Sequence, residues 1–526
     1  MSPGEAPLVE PLGSSDDPID VCARFLDLPF LLFLDSASKH SHSGEAQQLE
    51  RFSFLTADPV SLIRSKGRNT EVRHGDGGWS STPDDALSVA RSLLPHPPLS
   101  LVPGIPPFQG GIAGYIGYDW GAVLERLPAA RYDDLAVPDA MLGLYDWVIA
   151  WDHRHGTAWL ISTGLPDQGA GREHRARQRM SQVRERVVSR LGGGPAGQRG
   201  SGAAGQRGSE KEIPDTSSVV TTKSSPPAPS YPALEVEGGD VIGLRSTFTR
   251  RGYLDAVARV REYIVAGDIF QANLSQRFQT RLPVPPFQLY QQLRHRNPAP
   301  FSAYLDLGEL QVLSASPERF LRLDQERREV ETRPIKGTRP RGLGPMHDAA
   351  LGRALAESEK DRAENVMIVD LLRNDLSRVC RPGTVRVPEL FALEHHPTVH
   401  HLVSTVVGEL EPAADAIDLL RATFPGGSIT GAPKVRAMEI IAELEPTQRG
   451  VYCGSIGYVS ASGAMDTSIV IRTYLALRGQ VYFQAGGGIV ADSDPELEYR
   501  ETLDKARGLI ETLVASHQSS VPSSEP

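Results

Sequence analysis

The sequence predicts an α+β fold in which large mixed or antiparallel sheets are flanked by outer helices. Short apolar runs typical of strands recur in both halves of the 526-residue chain, for example at 29–35, 52–55 and 468–476. Helical periodicity lies between them, most clearly at 348–373 and 495–516. Strands and helices do not alternate strictly, which disfavours a parallel doubly wound sheet, and the number of helices excludes an all-β fold.

Composition and charge narrow the class of protein. Apolar residues make up 40% of the chain and charged residues 23%, which is typical of soluble globular proteins. The net charge of −10 gives no global basic surface for nucleic acid or for an anionic membrane. Cys22, Cys380 and Cys453 are too far apart in sequence for a metal motif or a disulfide framework, which predicts a reducing compartment. The apolar run at 28–34 contains a proline and is too short to span a bilayer, so we expect a cytoplasmic protein.

Composition also divides the chain. The hexapeptide Ala-Gly-Gln-Arg-Gly-Ser occurs at 196–201 and again at 204–209, and Ser, Thr and Pro dominate after it. Such a segment buries too little apolar surface to fold, which predicts a disordered linker or insert. The predicted parts are a flexible N-terminal tail at 1–18, an N-terminal region at 19–191, the insert at 192–240, a second region at 241–516 and a flexible C-terminal tail at 517–526.

The N-terminal region combines predicted strands with a few helices. A helix start at 82–83 precedes apolar residues at helical spacing. The four glycines within 107–119 suit tight turns or close backbone approach between strands, and no phosphate-binding loop surrounds them. Two strands are predicted within 141–162, and a charged helix follows at 172–191.

The second region has a denser pattern. Thr249 can cap a helix that ends near Gly267, and the chain then runs into a strand. Further strands are predicted at 311–314, 384–387, 403–410, 454–459, 468–476 and 480–485, and further helices at 348–373, 417–423, 433–444 and 495–516.

The most informative stretch is 332–342, which has Lys336 at its centre. Two prolines within it predict a turn that is neither mid-helix nor mid-sheet. Positive charge from Arg333, Arg339 and Arg341 is expected to lower the pKa of Lys336 and so to make it a nucleophile. The alternative is a solvated basic loop that binds an anion.

Glu318 follows Ser316-Pro317 at the end of a predicted strand. If the fold brings it beside Lys336, its carboxylate can act as a general acid or base. The alternative is a surface salt bridge, which is the commoner fate of a glutamate beside an arginine.

Two predicted helices carry carboxylates on one face. Glu364 shares a face with Asp361, and Glu498 and Glu501 share a second face with Lys505. Two such helices can supply a Mg²⁺ site that keeps positions open for substrate oxygens. The alternative for each face is a solvated helix surface.

Two glycine-rich segments have backbone and hydroxyl groups suited to binding an anion. Gly486, Gly487 and Gly488 follow a strand, and we expect their amide groups to be available to a substrate carboxylate. Ser428 and Thr430 lie in a second glycine-rich approach to a helix start and can donate from their hydroxyls. The alternative is a flexible turn.

Three further polar residues stand out. Arg472 interrupts an apolar strand and suits bidentate capture of a carboxylate. Tyr458 can add a hydroxyl donor. His400 and His401 precede another strand, and without a third nearby ligand a zinc site is disfavoured, which leaves a general acid/base or a core histidine.

Taken in order, these segments resemble the chorismate-utilising enzymes. The resemblance covers about 245–515, and 107–119 resembles the N-terminal region of the family's synthases. It implies large, mostly antiparallel β-sheets packed in a sandwich with outer helices, and it makes 241–516 the chorismate-binding catalytic region. The segments that carry it are 267–278, 316–320, 334–338, 361–376, 401–404, 424–438, 453–458, 485–494 and 498–507.

Within that family, Pro-Ile-Lys-Gly-Thr at 334–338 is the form typical of members that aminate chorismate at C4 to give 4-amino-4-deoxychorismate, for 4-aminobenzoate and folate. Members that make anthranilate for tryptophan biosynthesis typically have alanine at the position of Lys336, and they are the alternative. The resemblance implies that Lys336 attacks C2, that Glu318 is the general acid/base, and that His401 matches the histidine that assists pyruvate loss in the anthranilate-forming members.

The resemblance also implies ligands and partners. Mg²⁺ would be held by Glu364, Glu498 and Glu501. Ammonia would come from a separate glutamine amidotransferase subunit, because no cysteine lies in a glutaminase context, and tryptophan is a further possible ligand of the N-terminal region. The implied substrate-binding residues are Ser428, Thr430, Tyr458, Arg472, Gly486, Gly487, Gly488 and Lys505.

Overall fold

Two antiparallel sheets of twelve strands each dominate the computed structural model, which describes residues 6–13, 16–36, 49–128, 130–188, 231–234, 242–396 and 399–520. Helices accompany the sheets, so the predicted α+β fold is confirmed. Buried residues of both sheets form two hydrophobic clusters, one with Phe33 of the first sheet and Ile112 of the second, and the other with Leu32 of the first sheet and Ile456 of the second. Full burial of such a side chain contributes about 1.5–3 kcal/mol.

The first sheet joins strands from both predicted regions. In spatial order its strands are β1 (Leu8–Leu12), β10 (Thr157–Ser162), β9 (Trp147–Asp152), β3 (Phe52–Thr56), β2 (Leu32–Asp35), β13 (Phe301–Asp306), β14 (Leu310–Ser316), β23 (Thr473–Leu477), β24 (Gln480–Ile489), β12 (Gln271–Arg281) and β11 (Arg245–Ser246), with β20 (Gly431–Ala432) also paired to β12.

The second sheet has the same mixed origin. Its order is β17 (Ile335–Pro340), β19 (Val399–Glu409), β16 (Glu329–Thr332), β15 (Arg319–Asp324), β22 (Met465–Ile469), β21 (Ser455–Ser460), β7 (Gly111–Ile116), β8 (Ala140–Tyr145), β4 (Ser61–Lys66), β5 (Asn69–His74) and β6 (Ser80–Thr82), with β18 (Arg386–His395) also paired to β19. The N-terminal and second regions meet where β2 pairs with β13 and where β7 pairs with β21.

Eleven α-helices are found in the described part of the chain. They are α1 (Pro18–Cys22), α2 (Ala86–Leu93), α3 (Gly121–Leu124), α4 (Gly169–Val188), α5 (Arg250–Val265), α6 (Pro286–Arg296), α7 (Pro345–Ala356), α8 (Glu359–Ser377), α9 (Ala416–Thr423), α10 (Lys434–Leu444) and α11 (Pro495–Ser520). The predicted cap of α5 is confirmed, because the Thr249 hydroxyl accepts a hydrogen bond from the Gly252 N–H. Within the described ranges no helix combines the length and apolarity needed to cross a membrane.

Several boundaries differ from the sequence predictions. The predicted helix at 348–373 is two helices, because Ser358 caps the start of α8. The predicted strand at 468–476 is also two strands, β22 and β23, which belong to different sheets. The segment 141–162 contains three strands instead of two, because the chain also turns at Asp146, a buried residue paired with arginines and without a glycine or proline to mark it.

The predicted flexible tails are wrong in part. Within 1–18, Leu8–Leu12 forms β1 and pairs with β10, where alternate side chains can pack on the sheet. At the other end, α11 continues to Ser520. Of the predicted insert at 192–240, the described residues are 231–234, where the Tyr231 hydroxyl donates to Asp134; both hexapeptides lie outside the described residues.

Candidate active site

Lys336 lies on β17, an edge strand of the second sheet, and not in the predicted turn. Edge strands tolerate proline, and the β17–β19 register shifts between Ile335 and Thr338. The Lys336 Nζ donates to the backbone carbonyl of Ser428 at 2.9 Å. Burial lowers the pKa of Lys336, and the nearby positive charge of Lys505 lowers it further.

The direction predicted for the pKa of Lys336 is confirmed, but the predicted cause is wrong. Each of the three arginines near it in sequence is paired with a carboxylate, so none is a free positive charge beside the amine. The pairs are Arg333–Glu394 at 2.5 Å, Arg339–Asp361 at 2.8 Å and Arg341–Asp348 at 2.7 Å. Removal of the amine from water is the main cause.

Glu318 is buried at the start of β15, with 4% of its surface exposed. Burial raises its pKa to about 6, although a hydrogen bond from Ser428 and the charge of Lys336 oppose this rise. Ser428 therefore contacts both groups: its carbonyl accepts from Lys336, and its hydroxyl bonds Glu318. The fold brings together an amine that deprotonates more readily than usual and a carboxyl that holds its proton more tightly.

Glu498 and Glu501 project from α11 toward Gly487 of β24. A methyl group added at Gly487 would lie 3.2 Å from Glu498 Oε2 and 3.2 Å from Glu501 Oε1, so the glycine gives the two carboxylates room to converge. The Ser493 hydroxyl donates to Glu498 at 2.7 Å. Burial raises the pKa of Glu498, and the charge of Glu501 contributes to that rise.

Glu364 faces the same group from α8. Burial raises its pKa, whereas the charges of Lys336 and Lys360 lower it and that of Glu501 raises it. Lys360, which sequence reasoning missed, lies 3.7 Å from Glu498 Oε1. Lys360 is the second residue of α8, between acidic residues of the first turn, and nothing in that sequence indicated that it would face the carboxylates of α11.

The oxygen donors of Glu364, Glu498 and Glu501 suit Mg²⁺, and the space that a Gly487 methyl group would fill is consistent with an ion there. Within the described residues, however, no three His, Cys, Asp or Glu side chains form a ready metal-binding group. Lysines also lie against these carboxylates, since Lys505 Nζ is 2.7 Å from Glu501 Oε1.

The glycine run continues strand β24 to Ile489, so the alternative of a flexible turn is wrong. Gly486, Gly487 and Gly488 pair with β12, and an added methyl group would meet the Leu274 carbonyl at Gly486, the two carboxylates at Gly487 and the Gln271 side chain at Gly488. The pairing with β23 stops at Phe483, and the Gly486 carbonyl accepts from Lys505 at 3.0 Å. The glycines therefore present a free edge of β24 toward Lys505.

Arg472 and His401 lie near each other. Arg472 occupies the crossing between β22 and β23 with φ of 52°, and burial lowers its pKa. No carboxylate among the described residues pairs with it, so its guanidinium is available to an anion. Burial and the charge of Arg472 hold the pKa of His401 well below its ordinary value, and Thr338 Oγ1 lies 2.9 Å from His401 Nδ1.

Two predicted binding residues lie elsewhere or are already engaged. The Thr430 hydroxyl is fully buried and donates within its own loop to the Gly426 carbonyl at 3.1 Å. Tyr458 stacks on Phe108 at 4.5 Å between ring centres and packs edge-on against Phe54. Side chains alternate along β21, and that of Tyr458 lies in this aromatic cluster, apart from the group around Lys336.

Tyr458 lines a cavity of about 680 Å³ between the N-terminal and second regions, which we call the inter-region cavity. The residues around it include Leu34, Asp35, Ser36, Phe301, Arg319 and Asp466. Asp35 is paired with Arg294 at 2.5 Å, and Arg319 is paired with Asp466 at 2.9 Å. The cavity is therefore polar but already balanced in charge.

Comparison with known proteins shows which family the chain belongs to. The model of the chorismate binding enzyme family matches residues 41–511. The chain belongs to that family and is a chorismate-utilising enzyme, as its motifs predicted.

Relatives of two kinds match most of the chain. Aminodeoxychorismate synthase component 1 of Escherichia coli (strain K12) is 41% identical over 493 residues, which is 93% of this chain and 95% of the relative. Anthranilate synthase component 1 of Thermus thermophilus is 42% identical over 418 residues, or 80% of each. The crystal structure of anthranilate synthase component I from Streptococcus pneumoniae TIGR4 superposes with a TM-score of 0.70 at 30% identity, covering 90% of this chain and 93% of that one.

Proposed function

We propose that this enzyme aminates chorismate at C4 to give 4-amino-4-deoxychorismate. The observation that carries the proposal is Lys336, an amine of lowered pKa that is linked through Ser428 to the buried carboxyl of Glu318. The similarity to aminodeoxychorismate synthase component 1 over more than nine-tenths of the chain supports the same choice. The product would serve synthesis of 4-aminobenzoate and folate.

The proposed chemistry has two displacements. The neutral amine of Lys336 attacks C2 of chorismate, the double bond shifts, and the C4 hydroxyl leaves as water with the proton held by Glu318. Ammonia then attacks C4 and expels the lysine, while Glu318 takes a proton from the new ammonium group. The raised pKa of Glu318, about 6, suits a carboxyl that must both give and take a proton near neutral pH.

The remaining residues bind and orient the substrate. Arg472, the amides along the free edge of Gly486–Gly488 and Lys505 would bind its carboxylates. Glu364, Glu498 and Glu501 would hold Mg²⁺, which supplies positive charge for the ring carboxylate. The neutral His401 would line the site without transferring a proton in this reaction.

Ammonia would come from a glutamine amidotransferase subunit. The relatives' designation as component 1 supports such a partner. With the purified chain alone, we expect ammonium salt to support the reaction and glutamine not to support it. Activity of the isolated chain with glutamine would contradict this part of the proposal.

Product analysis separates the two reactions of the family. With chorismate, Mg²⁺ and excess ammonium, we expect mass spectrometry to find 4-amino-4-deoxychorismate and no pyruvate, and Lys336→Ala to abolish it. Anthranilate with equimolar pyruvate would instead support the reaction of the anthranilate synthase relatives. Lys336 would then need another role.

The inter-region cavity suits a separate ligand, and we propose tryptophan for it. Leu34, Asp35 and Ser36 line the cavity and partly match the family's Leu-Glu-Ser segment. Titration calorimetry with tryptophan should give binding heat that Ser36→Tyr removes. Absence of heat with the wild-type chain would exclude this ligand.

A further inference from the structure

A buried ion pair, Arg449–Glu445, lies behind the Lys336 site. Arg449 is 1% exposed, and its guanidinium bonds Glu445 at 2.9 and 2.7 Å through two different nitrogens. The ring of Tyr118 covers the guanidinium at 4.5 Å. Desolvation offsets much of the attraction in such a pair, so stability alone is a weak reason for its presence.

The other bonds of Arg449 connect two walls of the site. One terminal nitrogen donates to the Ile429 carbonyl at 3.0 Å, and the other donates to the Asn273 carbonyl at 2.7 Å. Ile429 directly follows Ser428, which contacts Lys336 and Glu318. Asn273 pairs with Gly488 across the β12–β24 ladder.

Glu445 extends this connection along β12. Its Oε1 accepts from the Ser275 N–H at 2.8 Å and from the Ser275 hydroxyl at 2.9 Å. Ser275 pairs with Gly486, two residues from Gly488 on β24. The ion pair thus connects two parts of the site: the loop that contains Ser428 and Ile429, and strand β12, which lies beside the glycines. Because Arg449 and Glu445 are buried between them, neither side chain can reach the substrate.

We propose that Arg449 and Glu445 are positioning residues, which fix the carbonyl and hydroxyl of Ser428 against Lys336 and Glu318 and hold this loop at a set distance from β24. The proposal rests on the functions proposed above for Lys336 and Glu318. A planar guanidinium is required, because a single ammonium cannot bond Glu445, Ile429 and Asn273 in the same geometry.

Arg449→Lys tests this arrangement because lysine keeps the positive charge but lacks the planar guanidinium with its several N–H donors. We expect kcat to fall about 10- to 100-fold, as small misplacements of reacting groups do, with KM for chorismate changed less than about threefold. In the plot of kcat against pH, the limb that reports the titration of Glu318 should also move to higher pH. The reason is that the hydrogen bond from the Ser428 hydroxyl lowers the pKa of Glu318, so weakening this bond raises that pKa. The titratable groups that face Glu318 are Lys336, Lys505 and the buried thiol of Cys453, and this variant substitutes none of them.

Two matched variants separate positioning from stability and from the proposed function. Arg277→Lys alters an equally buried arginine on β12 that pairs with Asp134, so it should lower Tm and leave the pH limb in place. Ser428→Ala removes the bond to Glu318 directly and should move the limb. An unmoved limb in Ser428→Ala would refute the function proposed for Glu318.

A moved limb in Ser428→Ala with an unmoved limb in Arg449→Lys would refute the positioning proposal alone. Equal losses of kcat in Arg449→Lys and Arg277→Lys would do the same. If Arg449→Lys does not fold, Glu445→Gln replaces it, since an amide oxygen still accepts from Ser275 while the anchor of Arg449 is weakened. If neither variant folds, the pair is a folding determinant and the proposal fails.

Discussion

Glu318→Gln should stabilise the protein at neutral pH while it removes activity. Burial raises the pKa of Glu318 from its ordinary 4.5 to about 6. The folded protein thus binds the carboxyl proton of Glu318 more tightly than the unfolded chain does. The stability gained from this tighter binding is complete below about pH 4.5 and is lost as the pH rises through about 6.

A difference of about 1.5 in pKa corresponds to about 2 kcal/mol of unfolding free energy. Glutamine has nearly the same shape and no charge, so the variant should gain that amount above about pH 7 relative to the wild type. For a chain of this length the gain is roughly 2 °C in Tm. Activity with ammonium should fall by about 10²-fold or more, as loss of a general acid/base does.

Thermal and urea unfolding of both proteins from about pH 4.5 to about pH 8 measures this effect. Glu309→Gln, in the exposed turn between β13 and β14, is the control and should change Tm by less than about 1 °C, because surface substitutions have small effects. A variant that is less stable than the wild type at about pH 8, or a difference that stays constant across the range, would refute the burial argument for Glu318.

Two further substitutions and one NMR measurement test other parts of the site. Gly487→Ala adds a methyl group 3.2 Å from two carboxylate oxygens. The Mg²⁺ concentration for half-maximal activity should therefore rise about 10-fold, a change of about 1.4 kcal/mol in binding free energy. The control Gly78→Ala, which has open space around it, should leave this Mg²⁺ concentration unchanged. Tyr458→Phe should change KM for chorismate less than about twofold, since this ring lies in the aromatic cluster; a rise above about 10-fold would return Tyr458 to the substrate site. His401 is held neutral by burial and by Arg472, so ¹H–¹⁵N NMR of its ring should show no protonation between about pH 6 and about pH 8, and titration near pH 6.5 would contradict this.

The sequence predicted the site best where chemistry lies within one motif. Glu318, Lys336 and the acidic faces of α8 and α11 were found because residue type and helical spacing carry the signal. Residues that act through distant contacts gave none. Arg449 follows a helix end in an ordinary polar stretch, and only the fold brings its guanidinium to the carbonyls of Ile429 and Asn273.

Fold prediction failed where adjacent residues enter different sheets. The apolar run at 468–476 is continuous in sequence, yet the chain crosses between β22 and β23 at Arg472, whose positive φ no local pattern predicted. The long helix predicted at 348–373 is divided because Ser358 caps the start of α8. The sequence did not show this break, because a capping serine within a polar stretch resembles any surface serine. In both cases tertiary packing outweighed local periodicity.

The sharing of both sheets between the two regions has a consequence during synthesis on the ribosome. The N-terminal strands emerge first, with one side of β2 and one side of β7 still lacking the partners β13 and β21. β21 follows β7 by roughly 340 residues, an interval of about 20–70 s at the usual rate of ~5–20 residues per second. During that time pairing between neighbouring nascent chains competes with correct folding.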